Sequence, residues 1–204
     1  MNNRVLYVVF CFLIASFNLW SSETHILFLG DSLTAGYGIE KEKAFPELIK
    51  NKFQGDNLAV KITNAGISGS TSASTHSRLK WFLKAKPQIL LLAIGANDGL
   101  RGLDLSKLEK NLIKTIELAK QNDIEVILAG MKIPQNYGVE YTKKFEMIYP
   151  QIAKKFNVKL IPFLLKDVAT IKELNLPDRI HPNEKGHQKI AENIYPMIKE
   201  LIVD

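Results

Sequence analysis

The sequence predicts an α/β fold, a three-layer αβα sandwich on a central parallel sheet of about five strands. Two observations carry that expectation. Short apolar runs alternate along the chain with longer stretches whose apolar residues recur at helical spacing, and one short run, Ile89-Leu90-Leu91-Leu92-Ala93-Ile94, has no polar alternation. A strand apolar on both sides needs cover on both faces, as a central strand of a parallel sheet has.

The first residues stand apart from this pattern. Asn2, Asn3 and Arg4 form a short positive segment, Val5 to Leu19 is an almost uninterrupted apolar run, and Ser21 and Ser22 precede polar sequence at Glu23. Residues 1–22 therefore read as an export signal peptide. The run is about 15 residues, short of the roughly 20 that span a bilayer core, so a retained membrane anchor is the alternative. No clean small-x-small site fixes the cut. Residues 23–204 are expected to form one domain, since 204 residues with 46% hydrophobic content can bury one good core. Cys11, the only cysteine, lies inside the apolar run, so the mature domain would have neither disulfide nor thiolate metal site.

Strands are expected at His25 to Leu29, Leu58 to Ile62, Gln88 to Ile94, Glu125 to Ala129 and Lys159 to Ile161. Helices are expected at Phe45 to Phe53, Ser72 to Leu83, Leu105 to Gln121, Tyr141 to Phe156 and Asn183 to Ile202. The formal charge is +6, but the lysines are scattered along those helices with no dense run, so they read as a solvated face and no nucleic-acid partner is expected.

Open parallel sheets bind ligands beyond the carboxyl ends of their strands, which directs attention to four segments. Gly30-Asp31-Ser32-Leu33-Thr34-Ala35-Gly36 follows the first strand and should deliver Ser32 to a helix start, where the alternative is a simple cap. Asn64 to Ser72 follows the second strand and Gly95-Ala96-Asn97-Asp98-Gly99 the third; each could be turn chemistry alone. Asp178-Arg179-Ile180-His181-Pro182-Asn183 precedes the last helix, where Asp178 or Asn183 could merely cap it. A serine nucleophile needs a base, and the base needs a partner to fix its tautomer; His181 and Asp178 suit those tasks. Of the other histidines, His25 begins a strand, His76 lies on a helix and His187 falls within the last helix, where exposure is expected. None makes a ligand spacing, so no metal is assigned.

Together the four segments resemble the SGNH hydrolases, also called GDSL esterases and lipases, a family with a flavodoxin-like sandwich. Gly30-Asp31-Ser32-Leu33, Gly69 within Ile67-Ser68-Gly69-Ser70, Gly95-Ala96-Asn97-Asp98 and Asp178 to His181 match its blocks in order. Within it, Asn97-Asp98-Gly99-Leu100-Arg101-Gly102, Ile133-Pro134-Gln135-Asn136-Tyr137-Gly138 and Ile148-Tyr149-Pro150 are similar to stretches of exported bacterial thioesterases, lysophospholipases and arylesterases. Ser70 departs from the pattern, which has Asp there, and puts substrate preference in doubt.

The resemblance implies a serine esterase with Ser32, His181 and Asp178 as catalytic residues and an oxyanion hole from the Ser32 and Gly69 backbone N–H groups and the Asn97 amide. It requires no cofactor. Leu100, Leu103, Ile133 and Tyr137 are candidates to bind an acyl chain, though each could be core. The expected substrate is a small ester or acyl thioester, with lysophospholipid among the candidates, handled by a monomer with no membrane span after signal removal. A carbohydrate O-deacetylase is the alternative on this fold.

Overall fold

The computed structural model describes residues 23–203. The expected signal segment lies outside the described residues. Strands β1 (Thr24–Gly30), β2 (Val60–Gly66), β3 (Ile89–Ala93), β4 (Glu125–Ala129) and β5 (Lys159–Ile161) form one sheet in the order β2-β1-β3-β4-β5, parallel throughout. The expected sandwich is therefore present. Helices α1 (Ser32–Ala35), α2 (Phe45–Gly55), α3 (Thr75–Phe82), α4 (Ala96–Leu100), α5 (Leu105–Lys120), α6 (Val139–Phe156) and α7 (Glu184–Val203) complete it. Helix α2 packs against α7 on one face, and α3 packs on α5 and α5 on α6 on the other. Right-handed crossovers dictate that division once the strand order reverses at β1.

Ile26 to Leu29 of β1 and Leu90 to Leu92 of β3 are fully buried, as double-sided cover requires. The second strand begins and ends later than its apolar run suggests, so Asn64, Ala65 and Gly66 are strand residues and not loop. The cause is local. β2 is an edge strand, and the Asn64 side chain donates to Thr34 O (2.9 Å) and accepts from the Gly66 N–H (3.0 Å), replacing partners that a central strand would supply. The expected helix from Ser72 to Leu83 is broken into a 3-10 turn at Ser72–Ser74, α3, and a second 3-10 turn at Leu83–Ala85. Helices α1 and α4 are too short for periodicity to reveal.

His187 corrects another expectation, because it is buried and not exposed. Its Nδ1 accepts the Phe45 N–H at the start of α2 (3.2 Å), and its ring stacks on that of Phe45 with 6.0 Å between centroids. His25 is likewise structural, contacting Ala85 O and Thr63 Oγ1 at the sheet edge.

Burial, reinforced by the charge at His181, pushes the His187 pKa down from 6.5 to about 4. Between those values the unfolded chain binds the proton and the fold refuses it, so the stability from this group is fully present above 6.5 and is lost as pH falls toward 4. Denaturant unfolding of wild type and His187→Gln should show a stability difference at pH 7 that shrinks by at most about 3 kcal/mol on acidification to pH 4. A difference independent of pH would contradict this.

Candidate active site

Gly30 pairs with Gly66 on one side and with Ala93 on the other, so β1, β2 and β3 end on one line. Ser32, Gly69 and Asn97 follow those ends by two, three and four residues. The tight line is possible because Gly30 has no side chain: a Cβ there would meet the Thr34 side chain and lie 2.6 Å from Ala93 O.

Ser32 is the first residue of α1 and largely buried, with Asp31 as N-cap accepting from the Leu33 N–H (3.0 Å). The loop from β5 to α7 brings His181 to it. His181 Nδ1 lies 2.7 Å from Asp178 Oδ2, and since a carboxylate only accepts, Nδ1 carries the proton. Nε2 is then the acceptor for the Ser32 hydroxyl at 2.9 Å. This is the geometry of a nucleophile, a general base and an orienting acid. Asp178 Oδ1 accepts the N–H groups of Ile180 and His181 at 3.0 Å each. Desolvation works against ionisation, but the bonds from the His181 ring and these two N–H groups prevail and hold the Asp178 carboxyl below its usual value. Capping of α7 falls to Asn183, whose Oδ1 accepts the Gly186 N–H (3.1 Å), so Asp178 is free for the histidine. The Tyr37 ring packs on the imidazole at 4.5 Å between centroids.

Gly69 has φ +77°, in the left-handed region, and Arg101 Nη2 donates to its carbonyl (2.9 Å), which pins the peptide. The N–H groups of Ser32 and Gly69 have no acceptor among the described residues. The Asn97 amide donates one hydrogen to Ser70 O (3.0 Å) and keeps its second. These three donors suit a developing oxyanion. Ser70 takes part through its backbone carbonyl, so this bond does not depend on the Ser70 side chain.

Several contacts that position these groups carried no signal in the sequence. Arg78 of α3 donates to Gly30 O (3.2 Å) and to Ala65 O, tying together the ends of β1 and β2. Asp98 accepts from the N–H and hydroxyl of Ser72 (2.9 and 2.6 Å), and Asn111 donates to the same hydroxyl, which locks the β2 loop to the β3 loop. Tyr149, Tyr137 and Tyr141 donate to Ile94 O, Leu100 O and Leu103 O and brace the segment that carries Asn97. Such pairings join residues far apart in sequence, and spacing cannot reveal them. Burial, against the pull of the Leu33 N–H, pushes the Asp31 carboxyl up to about 6.

Beside Ser32 and His181 opens a cavity of about 370 Å³, lined by Asn97 and by apolar Leu100, Met131, Ile133, Phe163 and Leu165. Two of the four sequence candidates for acyl binding, Leu100 and Ile133, line it. Leu103 and Tyr137 do not; they sit exposed outside it, where the Tyr137 hydroxyl is engaged with the backbone.

Comparison with known proteins agrees with this arrangement. A sequence model of the GDSL-like Lipase/Acylhydrolase family matches residues 28–189. The chain belongs to that family. It is an ester-hydrolysing enzyme. It is 36% identical over 198 residues to the arylesterase of Vibrio mimicus, covering 96% of this chain and 97% of that protein. It is 35% identical to the thioesterase 1/protease 1/lysophospholipase L1 of Escherichia coli, covering 96% of this chain and 93% of the relative. Among solved structures it is similar to the psychrotrophic esterase EstA from Pseudoalteromonas inhibited by monoethylphosphonate, with a TM-score of 0.84 and 33% identity, covering 89% of this chain and all of that one.

The geometry separates the site residues by the size of their effect. Asn97→Ala should lower kcat about 100- to 1000-fold with little change in KM, because the amide meets charge only in the transition state. If Asn97 merely holds its turn, kcat stays near normal and the melting temperature falls. Asp178→Asn should cost roughly 10⁴-fold and His181→Ala roughly 10⁶-fold in kcat, since the orienting acid is the less damaging loss. Wild-type turnover by His181→Ala would remove it as the base.

Proposed function

We propose that the protein is an exported serine esterase that forms an acyl-enzyme on Ser32 with carboxylic esters and acyl thioesters, lysophospholipids included. The observation that carries this reading is the continuous relay from Ser32 Oγ through His181 to Asp178, at 2.9 and 2.7 Å, beside an apolar cavity. Ser32 loses its proton to His181 Nε2 as its oxygen attacks the carbonyl. The resulting oxyanion is met by the Ser32 and Gly69 N–H groups and the free hydrogen of Asn97. His181 then protonates the leaving alcohol or thiol, and Asp178 stabilises the imidazolium between those two steps. Water repeats the sequence to release the acid.

The apolar lining favours an acyl chain over a sugar, and the names of the arylesterase and lysophospholipase relatives agree with that preference. Every group in the relay and the oxyanion site comes from one chain, which supports a monomer as the working unit. Export rests on residues 1–22, with their short basic start and apolar run.

Hydrolysis of p-nitrophenyl esters by the mature protein, without added metal, tests the reading. Activity should be unchanged by EDTA and abolished in Ser32→Ala. Loss on chelation that a divalent ion restores, or residual activity in Ser32→Ala, would overturn it.

A further inference from the structure

Most of the large apolar side chains left exposed lie at one edge of the sheet. Because the five strands are parallel, the loops that follow them all open on the edge that holds Ser32. Each of the five connections presents at least one exposed apolar side chain there: Tyr37 after β1, Ile67 after β2, Leu103 after β3, Val139 at the start of α6 after β4, and Ile171 and Ile180 after β5. Val139 is 78% exposed and Ile67 54%. Elsewhere, Trp81 and Val203 sit at the far ends of their helices and Met147 in the middle of α6. Scattered apolar residues need no explanation, whereas a ring of them gathered at the sheet edge that holds the site marks an interaction surface.

We infer that this ring docks the enzyme on a phospholipid surface, so that acyl substrate passes from the lipid layer into the cavity without crossing water. The inference rests on the acyl-ester reading of the site and names the physical state of its substrate. Three features select a lipid surface as the occupant. These residues adjoin the cavity, since Ile180 lines it, Tyr37 packs on His181 and Ile67 lies two residues from Gly69, so a protein seated on them would close the path that substrate needs, whereas a lipid layer supplies that substrate. Tyr37 pairs an apolar ring with a polar tip, which suits the boundary between headgroups and acyl chains. The charges among these loops are mixed, with Arg101 near Asp104, Lys172 beside Glu173 and Arg179 beside Asp178, so apolar burial and not attraction to anionic lipid supplies the affinity. Binding should therefore extend to zwitterionic lipid and depend weakly on salt.

Co-sedimentation of Ser32→Ala protein with phosphatidylcholine vesicles containing lysophosphatidylcholine tests docking without turnover. The protein should partition to the vesicles, and adding Ile67→Ser, Val139→Ser and Ile171→Ser together should weaken that partition by at least about tenfold. With Ser32 restored, the triple variant should hydrolyse dissolved p-nitrophenyl acetate at the wild-type rate, which reports an intact fold, and fall behind wild type on micellar lysophospholipid. The inference is overturned if the Ser32→Ala protein ignores vesicles, if the triple substitution leaves partition unchanged, or if the ring proves to hold a second copy, seen as self-association that the substitutions remove. Absence of hydrolysis in wild type would instead count against the esterase reading, and the vesicle result would stand apart from it.

Discussion

Gly30 sits between Gly66 and Ala93 in the sheet, and that shared line fixes where three loops of different length begin. The Ser32 hydroxyl, the Gly69 N–H and the Asn97 amide come from three segments spread over 66 residues of sequence, yet each is only a few residues from a level strand end. A one-residue slip of β2 or β3 against β1 would turn the faces of the slipped strand and displace its donor by about 3.3 Å, more than a hydrogen bond tolerates. Arg78 guards that register by bonding the terminal carbonyls of β1 and β2, and the Asp98–Ser72 pair does the same between the loops of β2 and β3.

Charge beneath Ser32 is the second constraint. Asp31, fully buried, offers one oxygen to Leu33, while its other oxygen, the Thr34 hydroxyl and Arg78 Nε have no partner among the described residues. Burial disfavours both the Asp31 carboxylate and the Arg78 guanidinium; the Leu33 N–H and the charge at His181 partly relieve Asp31, and the Asp31 charge partly relieves Arg78. The turn thus holds Ser32 on polar groups that are costly to bury, next to a core of aliphatic strands that bears the cost of folding. The exposed Asp178–His181 pair differs: it is a local turn whose Oδ1 bonds to successive N–H groups aim the carboxylate at the ring.

The alternation of apolar runs made the sheet legible, and β3 was plain because it has no polar residue. The end of β2 was not, since the edge-strand residues Asn64 to Gly66 read as a loop. Ser32, Asp178 and His181 stood out in the sequence because a serine hydrolase would need those residue types, and the structure places them within hydrogen-bond reach of one another. His187 misled because helical position alone does not say which face is buried, and α2 supplies the N–H that it accepts. Leu103 and Tyr137 were proposed from apolar character near the site, but lining a cavity depends on the direction a loop takes after its strand, which spacing does not encode. The bonds of Arg78, Asp98 and the bracing tyrosines were silent for the same reason: their partners are mostly backbone carbonyls and N–H groups, identical at every position of the sequence.

We propose that three strand ends assemble one oxyanion site around Ser32. A crystal structure of the enzyme phosphonylated by an ethyl phosphonate ester tests it most directly, because the phosphoryl oxygen stands in for the oxyanion. The phosphorus should be bonded to Ser32 Oγ, with its oxygen about 2.7–3.1 Å from the Ser32 N, the Gly69 N and Asn97 Nδ2. Phosphorus on another residue, or an oxygen turned away from Gly69 and Asn97, would contradict the account.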